Sequence, residues 1–217
     1  MQNTSHAVMA QRVEAKDSPD DFPTPPWATR ALLEHIIGEH DLKSRSCLEP
    51  ACGAGHMVKP LKEYFGEVRY ADAYEYGFGP VRDFLTYPYE TDAVDWVITN
   101  PPFRLAEEFV LRALQVARRG VAILARTVFL ESSGRYNRIF SDHPPAKFAQ
   151  FVERVPMVKG RLDIKASTAT GYAWLVWEKG SKDHPRLMWV PPCRKQLERQ
   201  SDYPSASAEM RSTASLR

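Results

Sequence analysis

A chain of 217 residues with 43% hydrophobic positions can bury a substantial core without covalent staples. Its three cysteines, Cys47, Cys52 and Cys193, are too few for a disulfide framework and lack paired metal-ligand spacing, so a secreted disulfide scaffold and a metal site are excluded and a reducing cytoplasm is expected. No apolar run is long enough to span a bilayer, and the net charge of +2 decides little by itself.

Residues 1–20 are polar, lack the apolar core of a signal peptide and are expected to form a flexible lead. Thr24 is placed to cap a helix whose first turn holds Pro25 and Pro26. Ala31-Leu32-Leu33 and Ile36-Ile37 continue it at helical spacing, and Gly38 stops it. A first strand centres on Cys47-Leu48. It runs into the small-residue loop Glu49-Pro50-Ala51-Cys52-Gly53-Ala54-Gly55, and a helix follows from His56 to Phe65 with Pro60 in its early turns. A second strand is expected near Val68 to Ala71. From Ala73 to Asp92 the chain is rich in Gly, Pro and Tyr and leaves no room for a standard crossover helix, so it reads as loop with a short third strand near Val81 to Phe84.

The fourth strand, Ala93 to Thr99, ends in Asn100-Pro101-Pro102-Phe103. Leu105 to Arg118 is amphipathic, with Phe109, Val110, Leu114 and Ala117 on one face, and Gly120 to Ala125 is a buried fifth strand. Phe148 to Arg154 and Gly171 to Trp177 read as the last two strands. Apolar runs alternating with helices predict an α/β fold with a mostly parallel sheet. The expected organisation is a lead over 1–20, one catalytic domain over 21–180 and a basic, largely disordered tail over 181–217, Ser/Ala-rich from Ser205 onward.

The junction after the fourth strand carries the most chemistry. Neither Pro101 nor Pro102 has a backbone N–H, and each restrains the residue before it to extended backbone. The Asn100 side-chain oxygen and the Pro101 carbonyl then form a rigid edge of acceptors beside the Phe103 ring. Such an edge suits a planar group bearing an N–H₂, as a nucleic-acid base does. Asn-Pro and Pro-Pro are also ordinary turn punctuation. Likewise Gly53 and Gly55 permit tight turns and close approach to a ligand, or simply make a βα turn. The loop lacks the third glycine of a dinucleotide fingerprint and any Gly-Lys-Ser/Thr, which argues against phosphate binding.

Taken together, Glu49-Pro50-Ala51-Cys52-Gly53-Ala54-Gly55 followed by Asn100-Pro101-Pro102-Phe103 resembles the class I S-adenosylmethionine-dependent methyltransferases. More narrowly it is similar to the amino-methyltransferases of adenine, with the motif order of the γ group and the size of compact phage or mobile-element enzymes. Asp21-Phe22-Pro23-Thr24-Pro25-Pro26-Trp27 looks like the N-terminal cofactor motif of that group, and the match extends over roughly Phe22 to Lys179.

The resemblance implies a Rossmann-like, seven-stranded sheet whose last strand is antiparallel, with helices on both faces. It implies S-adenosyl-L-methionine as cofactor and no metal. Glu49, Gly53, Asp72, Asp83 and Asn100 all fall at predicted strand ends, along the edge where open α/β sheets bind ligands. By resemblance, Ala51, Gly53 and Gly55 lie against the cofactor's methionine part and Glu49 engages its amino group. Asp72 accepts from the ribose hydroxyls. Asp83 accepts from the adenine amine, with Phe84 as donor or apolar wall, and Thr24 and Pro25 close the methionine pocket. Asn100, Pro101, Pro102 and Phe103 would hold and stack a target adenine flipped out of DNA.

Between 126 and 165, eight Lys/Arg face four Asp/Glu. Arg126, Arg135, Arg161 and Lys165 are candidates for phosphate contact and Tyr136 for stacking, against the plainer reading of solvated loops. No separate recognition segment is visible, so short or relaxed sequence specificity is expected, with roles in restriction protection or host-genome modification. RNA adenine is the runner-up substrate. A protein glutamine, a cytosine amine and a catalytically silent nucleic-acid-binding module remain further alternatives.

Overall fold

A computed structural model describes residues 20–38 and 40–203. Seven strands form one sheet: β1 (Ser46–Glu49), β2 (Glu67–Tyr70), β3 (Val94–Thr99), β4 (Ala117–Arg126), β5 (Lys147–Phe151), β6 (Tyr172–Glu178) and β7 (Arg186–Val190). Their spatial order is β2-β1-β3-β4-β6-β5-β7. Six strands point the same way, and β6 runs antiparallel to its neighbours β4 and β5. This is the Rossmann-like α/β sheet expected from the sequence; its antiparallel strand falls on the predicted 171–177, but it is next to last in the chain, because β7 follows it and runs parallel to β5.

The apolar runs explain the layering. Every residue of β3 is buried, as a strand covered on both faces must be. Its side chains alternate between two cores. Trp96 and Ile98 face Trp27 and Leu32 of α1 (Pro26–Leu32) and Leu61 of α2 (Val58–Tyr64). Val97 faces Phe109, Val110 and Ala113 of α3 (Ala106–Val116). On β6 the wholly buried Trp174 donates its indole N–H to the Ala28 carbonyl at 3.1 Å, which ties α1 to the sheet. No helix among the described residues is long and apolar enough to cross a membrane.

Four local expectations need correction. Pro25, not Thr24, is the N-cap of α1, with no side-chain capping bond. The Ala28 N–H bonds to the Pro25 carbonyl, and the two prolines bring no N–H for a hydroxyl to satisfy. The third strand at 81–84 shrinks to a single bridge between Asp72 and Val81, because Phe84 turns inward to pack on Phe109. The helix expected to reach Arg118 stops at Val116, where Ala117 already has extended backbone and opens a longer β4.

The fourth correction is at the C-terminus. Part of the stretch read as a disordered tail supplies β7, which adds to the free edge of β5 in parallel. A helical turn, Arg194–Leu197, then leads to residues 200–202 beside α1. The anchor there is Arg30, only 2% exposed, which hydrogen-bonds both oxygens of Glu63, both of Asp202 and the Leu197 carbonyl at 2.8–2.9 Å. Charged composition does not prevent folding when its carboxylates meet a buried guanidinium. The predicted lead apart from Asp20, and the Ser/Ala-rich end from Ser205, lie outside the described residues.

Candidate active site

At the C-terminal edge of β1, β2 and β3 the connecting loops enclose a cavity of about 210 Å³. Of the residues singled out in the sequence, Thr24, Ala51, Gly53, Asp72, Asp83, Phe84, Asn100 and Pro102 line it. Residues from five separate stretches therefore meet in one place, because parallel strands deliver their C-terminal loops to the same edge and the N-terminal segment joins them there. Pro25, Glu49, Gly55, Pro101 and Phe103 are not on its wall.

Asn100 sits where β3 stops. Its amide nitrogen donates to the Phe22 carbonyl at 2.9 Å, and its oxygen is buried with no hydrogen-bond partner. A buried acceptor left unmade costs about 1–3 kcal/mol, so its retention at a cavity wall points to a donor that arrives with a ligand. The Pro102 carbonyl is taken by the Leu105 N–H, whereas no described N–H donates to the Pro101 carbonyl. The Phe103 N–H is held by the Asp20 carboxylate at 2.7 Å. Its ring is not open on both sides: the Arg126 guanidinium lies over it at 3.9 Å, and the Phe22 ring approaches at 5.3 Å with a 37° tilt.

The glycine loop wraps the other end of the cavity. Gly53 has φ of +49°, donates its N–H to Asp72 at 2.8 Å, and has a bare α-carbon face. A β-carbon there would meet only Asp21, at 3.8 Å. Gly55 is different. Its φ is +82°, and a β-carbon would sit 2.2 Å from the Phe78 ring. The bare α-carbon of Gly55 thus makes room for the Phe78 ring. Gly55→Ala is expected to destabilise the chain by about 1–3 kcal/mol through overpacking and the left-handed backbone. Urea unfolding reads this directly, and Phe78→Ala in the same chain should recover part of the loss; a neutral Gly55→Ala would contradict the packing.

Glu49 lies behind the loop rather than on the cavity wall. Its side chain is 0% exposed and turned beneath the loop, where one oxygen accepts from the Ala51 N–H at 2.9 Å and from the Thr99 hydroxyl at 2.6 Å. Its other oxygen has no partner. Burial pushes the Glu49 carboxyl up to about 8, against the lowering effect of those two bonds. It is therefore neutral at pH 7 and joins the ends of β1 and β3.

A raised folded pKa means the folded chain keeps a proton that the unfolded chain releases above about 4.5. The stabilising contribution is complete below that pH and is lost as pH rises through about 8. Glu49→Gln, which mimics the neutral acid, should match wild type at pH 4.5 and exceed it at pH 9 by on the order of 4 kcal/mol. Urea unfolding at both pH values tests this, and parallel pH curves for the two proteins would contradict it.

Asp72 accepts from the Gly53 N–H and, through its other oxygen, from the Tyr74 N–H at 2.9 Å. Burial raises its pKa against these bonds. Asp83 accepts from the Leu85 N–H at 2.9 Å. Phe84 presents part of an otherwise buried ring. His56, not anticipated in the sequence, also lines the cavity. Its Nδ1 has no partner, and burial, then Lys59, pulls its pKa down to about 4, so it is a neutral ring at pH 7.

The candidate phosphate contacts divide. Arg126 is occupied by Phe103, and its Nε is buried without a partner. Arg135 lies over Phe129 and donates to the Phe129 carbonyl at 3.1 Å. Neither stands out as a free cation. Tyr136 is 60% exposed, and Lys165 is exposed beside Arg161, which pairs with Asp163 at 3.3 Å.

No protein-family model matches the chain, and no curated protein matches its sequence. Solved structures do match its shape. One, from Listeria monocytogenes and assigned to the class I S-adenosylmethionine-dependent methyltransferases, superposes with a TM-score of 0.54 at 14% identity over 76% of this chain and 64% of its own. A second, assigned as a modification subunit of a type I restriction enzyme from Vibrio vulnificus, gives 0.57 at 17% identity over 94% and 54%. A third, assigned as an RNA methyltransferase from Pyrococcus horikoshii, gives 0.53 at 16% identity over 77% and 93%. The fold is that of the class I methyltransferases. The chain spans less than two thirds of the first two neighbours.

Within this fold the sequence names Asp21 and Phe22 as part of the N-terminal motif but not Asp20, nor the contacts that pin the segment across the site. Asp20 holds Phe103, the Phe22 carbonyl holds Asn100, and the Asp21 carbonyl accepts from the Gly160 N–H at 2.9 Å. Such docking through backbone groups leaves no periodic trace.

Proposed function

We propose that the chain is an S-adenosylmethionine-dependent methyltransferase acting on the exocyclic 6-amino group of adenine in DNA. The observation that carries this reading is the Asn100 side-chain oxygen, buried beside the cavity with no donor while its amide nitrogen is committed to Phe22. An aromatic amine supplies the missing donor. Its lone pair is normally delocalised into the ring, which makes it a poor nucleophile. The Asn100 oxygen and the Pro101 carbonyl would each take one amine hydrogen, hold the group out of conjugation and aim the lone pair. That is catalysis by positioning and preorganised dipoles.

Bound S-adenosylmethionine would supply an activated methyl group on a sulfonium. The cavity fits such a molecule: Thr24 Oγ1 and His56 Nδ1 are buried polar atoms without partners, next to two carboxylates and an apolar Phe84 wall. Asp72 would accept from the ribose hydroxyls and Asp83 from the adenine amine. Thr24 and the open face of Gly53 would meet the methionine end. A base in duplex DNA would have to be flipped out to reach Asn100. With Arg126 covering one face of Phe103, the base would stack on the other only if the Phe22 ring moves aside. Tyr136, Arg161 and Lys165 would contact the backbone around it.

Short or relaxed sequence specificity belongs to the same proposal. RNA is the second reading, favoured by the likeness in compact size to the Pyrococcus protein, 93% of which is matched.

The proposal is tested by expressing the chain in a host devoid of adenine methylation and measuring modified nucleosides by mass spectrometry. N6-Methyladenine should appear in DNA with wild type and be absent with Asn100→Ala. Its appearance in RNA alone would replace the first reading by the second.

A further inference from the structure

The cavity holds one charged side chain that the assignments so far leave idle. Asp21 is pinned on both sides by the contacts of Asp20 and Phe22 and by its own carbonyl. Its carboxylate reaches the cavity wall, where one oxygen is the nearest atom to the bare face of Gly53. Asp72 stands close enough to repel it, and burial and then that repulsion raise the Asp21 pKa, with Lys159 opposing. Two half-buried carboxylates facing one space favour the entry of a cation.

An independent observation points the same way. Thr24, 2% exposed and lining the same cavity, has its hydroxyl oxygen buried without a partner. A hydroxyl beside a carboxylate matches a primary ammonium, which offers three N–H donors in a compact head. Glu49 is wholly buried and is not on the cavity wall, with one oxygen engaged by Ala51 and Thr99.

Building on the cofactor reading above, we propose that Asp21, with Thr24 beside it, receives the α-ammonium of the cofactor's amino-acid end, and that Glu49 only supports the loop. Charge-assisted bonds of this kind are the strong ones in a partly desolvated site. The role is confined to the amino-acid end, so it is separable from the rest of the molecule.

The test is calorimetric binding to the full chain of two thioether nucleosides, S-adenosylhomocysteine and 5′-methylthioadenosine, the second lacking the amino-acid end. Asp21→Asn should weaken S-adenosylhomocysteine by about 10- to 100-fold and leave 5′-methylthioadenosine within about twofold. Asp21→Glu, which keeps the charge, should retain most of the preference for S-adenosylhomocysteine, and Glu49→Gln should leave both affinities within about threefold. Unchanged S-adenosylhomocysteine binding in Asp21→Asn, or equal weakening of both ligands, would overturn the assignment while leaving the cofactor reading intact. Wild type binding neither ligand would overturn the cofactor reading and the assignment with it.

Discussion

Asn100→Ala should lower single-turnover methyl transfer by about 10²- to 10³-fold, the usual consequence of removing one preorganised partner of a reacting group. Affinity for S-adenosylhomocysteine should stay within about threefold, since Asn100 is not among the proposed cofactor contacts and the segment that carries Asp21 and Thr24 keeps its ties from Asp20 to Phe103 and from Asp21 to Gly160. The Asn100 nitrogen is anchored by Phe22, so its oxygen has one direction to face. Asn100→Asp sharpens the test. It keeps an oxygen at that place but loses the anchoring N–H, and should also be severely impaired. Equal loss of binding and transfer in Asn100→Ala would instead make Asn100 a structural tie between β3 and the N-terminal segment.

The largest effect on stability is expected at Arg30. Replacement by Met removes five hydrogen bonds and leaves Glu63, Asp202 and the Leu197 carbonyl facing an apolar stem. Breaking a buried charged cluster from one side costs about 3–5 kcal/mol, or roughly 6–20 °C in Tm for a chain of this size. Burial alone would raise Asp202, yet the Arg30 hydrogen bond together with the Arg199 N–H holds it below the usual carboxylate range. That share of stability is therefore present at neutral pH and lost as pH falls through the lowered value. Arg118→Ala provides the contrast: its partner Asp95 is buried, but Arg118 itself is 55% exposed, so the loss should be only about 0–1 kcal/mol. An Arg30→Met loss below about 1 kcal/mol would show that residues 194–203 are not held through this cluster.

What the sequence made legible, and what it hid, divides along physical lines. The 96–98 stretch of β3 and the 120–125 stretch of β4 are apolar runs, and burial on both faces leaves that mark without any tertiary knowledge. Strand ends with Gly53, Asp72, Asp83 and Asn100 were readable because parallel topology sends all such ends to one edge. The burial of Glu49 is hidden, because a motif fixes the residue type after a strand, not the side on which its carboxylate is buried. The contact of Gly55 with Phe78 is hidden too, because a glycine's freedom says nothing about which neighbour packs against it, and Phe78 lies 23 positions away. Arg126 meets Phe103 across the sheet edge, a contact with no local signature. β7 is five residues between prolines, and only the open edge of β5 makes it a strand.

The central claim is methyl transfer to the adenine amine of DNA through Asn100. The most direct measurement is transfer of labelled methyl from S-adenosylmethionine by the purified chain to unmethylated duplex DNA, single-stranded DNA and total RNA in parallel, with the modified nucleoside identified by mass spectrometry. The account predicts label in DNA as N6-methyladenine, spread over many sequence contexts and abolished by Asn100→Ala. Label confined to RNA or to cytosine, or no transfer to any nucleic acid by a chain that binds S-adenosylhomocysteine, would contradict it.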